Sequence, residues 1–274
     1  MPEIHLISTV ISVSLGLFIG LVLALTGAGG SILAIPLLVI SFNLTLNQAA
    51  PIALMAVALA SSIDAIQGLR LGIVRYKTAF LMASFGLVFA PLGVWLAQYA
   101  PNQLLNFIFC VVLLIVAWNM WQQSTQQSDN QEKKPSPACA LNPSTSKLFW
   151  TAVCTQALIV TGAIAGFLSG LLGVGGGFVL VPSLSKVTNF NNQTIIATAL
   201  FTIALVSAMS IFSYTLSSDI HWSIAVPFII GTVLGLFIFR SVNSKISTKF
   251  SQRSFAVLAI LAAILILVKA FSTQ

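Results

Sequence analysis

The residues best placed to do chemistry in this chain are glycines. Gly27-Ala28-Gly29-Gly30-Ser31 and Gly173-Val174-Gly175-Gly176-Gly177 each interrupt apolar sequence, and each is followed by a proline, Pro36 and Pro182. A helix broken inside hydrocarbon must line a cavity or be covered by protein, because no water is present to satisfy the freed backbone groups. Glycine permits positive φ and leaves its N–H uncovered. The short apolar segment after each cluster, 31–42 or 178–187, would then aim its N-terminus at the break. Free N–H donors and the positive end of the helix dipole would make an anion site there. Pro36 and Pro182 fit a place near the start of such a half-helix, where a missing N–H costs nothing. Bulk at Gly30 or Gly176 is therefore expected to stop backbone approach by a ligand while leaving expression intact. The competing reading, close helix packing through small residues, is preferred for Gly16, Gly20, Gly162, Gly166 and Gly170.

Asp64 is the one acidic residue well inside an apolar run. Carboxylates at such depth are costly and commonly functional. Asp64 is thus a candidate for a coupling or gating role, set against pairing with Arg70 or a structural hydrogen bond near the membrane edge. Hydroxyls and amides offer neutral donors: Thr161, Ser169, Thr198, Thr202 and Ser207 among others, and Asn47-Gln48 with its recurrence Asn192-Gln193. Those pairs are candidates for substrate binding or, equally, N-caps of the following helix. Cys110, Cys139 and Cys154 are too few and too oddly spaced for a disulfide framework or zinc site. Cys110 and Cys154 read as small packing residues. No metal-ligand spacing, catalytic triad or P-loop is present, so neither a cofactor nor an enzyme activity is expected.

The elements that must position these residues lie in a membrane. Only 6% of the residues are charged while 58% are hydrophobic, whereas a soluble domain carries about a quarter charged. The net charge of +7 forms no basic patch, which argues against nucleic acid as a partner. No basic stretch precedes the first apolar run, so no signal peptide is expected. Eight runs approach or exceed the roughly 20 residues a crossing needs: 7–25, 48–67, 78–97, 104–121, 148–172, 194–216, 223–239 and 255–271. The polar stretch 122–147 reads as a linker. It separates a first transmembrane repeat, 1–121, from a second, 148–274. Gly16, Gly20, Gly27, Gly29, Gly30 and Pro36 recur as Gly162, Gly166, Gly173, Gly175, Gly176 and Pro182, all offset by the 146 positions that separate Gly16 from Gly162. Two clusters in register mark an internal repeat. Lys and Arg gather at 70–77, in the linker, at Lys186 and at 240–253, with Lys269 as the exception. Basic residues favour the cytoplasmic side. Both termini are therefore expected outside, the linker inside, and the halves in inverted topology.

Taken together, the doubled Gly-x-Gly-Gly-x5-Pro motif, the loop Gly72-Ile73-Val74-Arg75-Tyr76 and the pair His221-Trp222 resemble the sulfite exporter TauE/SafE family, over nearly the whole chain. That resemblance implies secondary transport of a small anion such as sulfite or an organosulfonate across a bacterial inner membrane, with the direction, export or import, left open by the sequence. Family members commonly carry Gly-Thr-Ser early in the helix after each hairpin. Pro51-Ile52-Ala53 and Ala197-Thr198-Ala199 stand there in this chain, so only Thr198 keeps a hydroxyl. The expected architecture is all-α and polytopic: two inverted-topology repeats, each a glycine-broken hairpin plus three transmembrane helices, with eight full-length spans and two short broken segments. The expected function is alternating-access transport of a small anion. A proton or sodium ion as the coupled species, and a homodimer, remain open. The alternatives are an anion channel and an intramembrane enzyme or assembly factor.

Overall fold

Long apolar runs flanked by polar turns dictate helices here, since a helix alone satisfies its own backbone within lipid. A computed structural model describes residues 2–26, 30–126, 139, 151–216, 220–243 and 248–272. Among the described residues every regular element is a helix: α1 (Pro2–Thr26), α2 (Ser31–Phe42), α3 (Leu46–Arg70), α4 (Tyr76–Tyr99), α5 (Asn102–Gln126), α6 (Ala152–Leu172), α7 (Gly177–Val187), α8 (Asn192–Thr215), α9 (Trp222–Asn243) and α10 (Thr248–Ser272). Seven are long and apolar enough to cross a membrane: α1, α3, α4, α5, α6, α8 and α9. The eighth expected span is α10, a 25-residue helix whose described apolar portion is Ser254–Ile266. The chain is a multi-pass α-helical membrane protein. Aliphatic and aromatic side chains such as Phe80, Val88, Trp95, Phe107 and Ile115 are exposed along the outside, where lipid replaces water.

Four of these helices associate through glycine. Along α1 and α9, Gly16 lies against Phe228 and Thr232, and one turn on Gly20 lies against Thr232 and Leu236. Along α4 and α6, Gly162 meets Met82, Gly166 meets Gly86, and Gly170 meets Ala90. Both pairs therefore run parallel. At Gly16, Gly20, Gly162, Gly166 and Gly170 an added Cβ would come within 3.0 Å of backbone on the facing helix. Without a hydrophobic drive between helices in lipid, such backbone contact supplies the packing. The packing role expected for these five glycines holds.

At the centre α3 lies against α8, the two most deeply buried spans, while α5 packs on α10. The helix pairs map onto themselves when α1 to α5 are exchanged with α6 to α10: α1 with α9 answers α6 with α4, and α2 with α3 answers α7 with α8. Polar caps trim the ends. Thr45 and Gln48 form a capping box on α3, with the Thr45 N–H donating to Gln48 Oε1 at 3.0 Å. Thr151 Oγ1 accepts from the Cys154 N–H at 3.1 Å and caps α6.

Two expectations need correction. Pro36 and Pro182 are not near the starts of their half-helices; each is the sixth residue of its helix. Each therefore removes an N–H that the ladder would use, which leaves a carbonyl one turn earlier without its helical donor. Cys154 is also not merely a packing residue. Cys139 and Cys154 form a disulfide, with a Cα–Cα separation of 5.0 Å. Cys139 also donates its N–H to Val187 O at 3.0 Å. Cys139 thus ties the start of α6 to the end of α7. Cysteine spacing could not reveal a bridge whose partners are brought together by a helical hairpin.

Candidate functional site

The second glycine cluster builds a defined break. Gly173 ends α6 at φ 72° and donates its N–H to Ser169 O at 2.9 Å. Gly175 and Gly176 follow at φ 75° and 70°, a region costly to any residue with a Cβ. Gly176 caps α7, and its carbonyl accepts from the Val179 and Leu180 N–H groups at 3.1 and 3.2 Å. The N–H groups of Gly177 and Phe178 precede the first acceptor available inside α7, so the helix leaves them outside its ladder. An ideal Cβ on Gly176 would sit 2.6 Å from Ala165 O, so the loop has folded back along α6 before α7 begins. The N-terminus of α7 consequently lies deep in the protein, and every residue from Gly173 to Phe178 is buried.

What surrounds this terminus is neutral. A Cβ on Gly175 would meet Val57 at 3.1 Å, Ser207 Oγ at 3.2 Å and Ile203 at 3.4 Å. Val57 and Ile203 are themselves separated by the repeat offset, so the break sits where α3 and α8 cross. Ile203 and Ser207 stand one turn apart on the same face of α8. Most other buried hydroxyls here are engaged. Thr202 donates to Thr198 O at 3.0 Å, Ser210 to Val206 O at 3.1 Å, Thr161 to Ala157 O at 2.7 Å, and the Tyr214 hydroxyl to Gly170 O at 2.8 Å. Ser207 Oγ is fully buried, and no partner satisfies it. A buried hydroxyl without a partner carries a desolvation cost of about 1–3 kcal/mol. Its retention at the break makes it a candidate ligand group. Among the described residues the buried hydroxyls belong to Ser, Thr and Tyr214, with no buried Lys, Arg, Asp or Glu.

The structure distributes the sequence-based candidates unevenly. Gly173, Gly175, Gly176 and Gly177 form the break itself. Gly27 and Gly29 lie outside the described residues, as does the side chain of Ser31. Gly30 caps α2 with φ −60°, an ordinary helical value, so the described part of the first break differs from the second. Asn47 lies one turn before Ala50, which abuts Gly173. Its Nδ2 donates to Ala97 O at 2.9 Å, while its Oδ1 is buried without a partner. Gln48 serves the capping box. Asn192 and Gln193 are exposed in the first turn of α8 and are not brought to the break. Thr198 is buried, and its Oγ1 accepts from the Arg75 N–H at 3.2 Å, fastening the α3–α4 loop to α8. Pro36 is buried within α2, and Pro182 is half-buried on a groove shared by α5 and α7. Asp64 is half-buried in the later turns of α3. The sequence placed Ser207 among many hydroxyls and gave no sign that it meets Gly175 at the break.

The comparisons with known proteins agree with this architecture. The model of the sulfite exporter TauE/SafE family matches residues 12–266. A protein of Xylella fastidiosa, named a probable membrane transporter protein, is 26% identical over 97% of both chains. The Bacillus subtilis protein YunE, with the same description, is 25% identical over 88% of this chain and 91% of its own. One from Methanocaldococcus jannaschii is 25% identical over 85% and 86%. No solved structure matches. With its family model spanning both glycine breaks and nearly all of the helices, the chain belongs to the sulfite exporter TauE/SafE family of membrane transporters.

Proposed function

We propose that the protein carries a small anion, sulfite or an organosulfonate, across the cytoplasmic membrane by alternating access between two inverted repeats. The observation that carries the anion site is the unpartnered Ser207 hydroxyl beside the buried N-terminus of α7. A helix N-terminus favours an anion by about 0.3–1 kcal/mol, or up to about 2 when partly buried. Hydrogen bonds from the Gly177 and Phe178 N–H groups and from Ser207 add about 1 kcal/mol net each. These contributions come to about 3–5 kcal/mol, which corresponds to binding near millimolar and suits cargo that must be released. An anion held by neutral donors also avoids the cost of burying an Arg. A channel would need a continuous open path past the break; burial of Gly173 to Phe178 favours a gated carrier instead. Asp64 is the carboxylate available for coupling within the spans.

The inverted reading is supported by helix direction. Because α1 runs parallel to α9, and α4 to α6, the alternation of short turns along the chain sets α1 and its counterpart α6 in opposite directions. The Lys269 end of α10 meets the end of α2, and the α3–α4 loop meets the start of α8, so these two regions lie on opposite faces. All of the twelve Lys and Arg except Lys269 then fall on the face of the linker, which we assign to the cytoplasm. The Cys139–Cys154 bridge lies on that same face, where thiols are normally kept reduced. Eleven cations act together in setting orientation during insertion, and on that face the bridge is a reducible pair.

Two measurements test these readings. Ser207→Ala removes a hydroxyl that has no partner, so it is expected to leave the melting temperature unchanged or raise it while slowing uptake of sulfite into proteoliposomes about fivefold, one hydrogen bond's worth. Normal uptake by the variant would refute the site. For orientation, Leu71 and Leu216 are both exposed in turns. With native cysteines replaced by serine, an impermeant maleimide added to intact cells should modify Leu216→Cys and spare Leu71→Cys. The reverse pattern would invert the assignment.

A further inference from the structure

Lys269 is the cation that the charge distribution leaves on the outer face, and the structure gives it a specific attachment. Near the end of α10, its ammonium donates to Val39 O and to Asn43 Oδ1, the latter at 2.9 Å. Val39 is in the last turn of α2, and Asn43 is the left-handed residue that caps it, at φ 53°. A cation at this end of α2 meets carbonyls at the negative end of the helix dipole. The contact joins residues 226 and 230 positions apart and closes α10 onto α2.

The corresponding elements of the second half are open. There α7 answers α2 and α5 answers α10. Between α5 and α7 runs a groove of about 240 Å³, lined by Val112, Val116 and Asn119 on α5 and by Phe178, Pro182 and Lys186 on α7. Its deep end reaches Phe178, at the anion-holding terminus of α7. It runs along α7 to Lys186, which is exposed at the end of the helix on the linker face. Equivalent helix pairs are thus closed on the outer face and parted on the inner one. In an inverted repeat, exchanging the conformations of the two halves generates the opposite state.

We propose that the Lys269 clasp on the α2 C-terminus is the outer gate latch of this transporter, released when the α5–α7 groove closes. The proposal rests on the alternating-access reading above. Losing two charge-assisted hydrogen bonds on one side of a two-state balance shifts the populations toward outward opening.

The test needs no substrate. In a background without native cysteines, Val39→Cys reports opening of the α2–α10 seam, since Val39 is buried in the closed state. Adding Lys269→Met, which keeps the apolar stem, is expected to raise the rate of Val39→Cys modification by an external impermeant maleimide about tenfold or more. Oxidative cross-linking of Ile115→Cys to Val179→Cys, both lining the groove, is expected to rise in parallel. Asn43→Gly keeps the left-handed cap while removing one acceptor, and should give a smaller increase of the same sign even where Lys269→Met accumulates poorly. Unchanged labelling and cross-linking in both variants would overturn the latch. If both rise as expected but neither protein nor variant moves any anion tested, the latch stands and the anion reading fails.

Discussion

Gly166→Val is expected to reduce folded protein in the membrane by about tenfold or more, read as the monodisperse peak of a fluorescent fusion in detergent. The cause is geometric. A Cβ on Gly166 would overlap the Gly86 carbonyl and Cα on α4, and backbone cannot rotate away as a side chain can. Overpacking into ordinary core costs about 1–3 kcal/mol, and each 1.4 kcal/mol is about a factor of ten. A backbone collision belongs at the upper end of that range. Gly20→Val, at the matching place against Thr232 and Leu236 on α9, should behave alike. Val160 faces outward on the same helix as Gly166, so Val160→Leu should leave the peak unchanged. Equal accumulation of Gly166→Val and wild type would mean that the α4–α6 seam contributes little.

At the break, Gly176→Val and Gly175→Ala are expected to separate folding from transport. Gly176 stands at φ 70° with its Cβ position 2.6 Å from Ala165 O. Valine there adds the cost of a left-handed residue, roughly 1–2 kcal/mol, to a collision with backbone. Both accumulation and uptake should fall sharply. This revises the expectation that bulk at Gly176 would leave expression intact: the glycine is needed by the hairpin before any ligand arrives. Gly30→Val faces the same difficulty, since its Cβ would lie 2.7 Å from Leu23 N on α1. Gly175 is different. Its neighbours at 3.1–3.4 Å are side-chain atoms of Val57, Ser207 and Ile203, which can yield. Gly175→Ala should retain a measurable folded fraction yet lose uptake per folded molecule by about tenfold, because a methyl occupies the place beside Ser207 and strains φ. Normal uptake per molecule in Gly175→Ala would show that this loop does not touch the cargo.

Much of the architecture follows from local properties of the chain. Near absence of charge specifies a bilayer, because no watery surface could be covered with what remains. The glycines at 173–176 specify the second broken hairpin, because glycine readily takes the left-handed backbone found at Gly173, Gly175 and Gly176. The one-sided cations are the sequence feature behind the proposed opposite orientation of the halves. The family motifs lie in these same segments, and so they were legible in advance.

What only the tertiary structure decided is which of the chemically similar residues has something left to give. Any Ser or Thr in a membrane helix can donate to the carbonyl a turn earlier, and most of those here do. Residue type therefore says nothing about availability; Ser207 is distinguished only by the company of Gly175, Val57 and Ile203. The same holds for the pairs 47–48 and 192–193, alike in sequence, where Asn47 reaches Ala97 and Gln193 lies exposed. It holds for Cys139 and Cys154, joined because Cys139 lies against the end of α7 beside the start of α6. Lys269 looked misplaced until α2 arrived beneath it. Patterning along the chain is a property of near neighbours, which sets where helices begin, break and face. Satisfaction of a buried polar group depends on residues tens to hundreds of positions away, and only the packed helices bring those together.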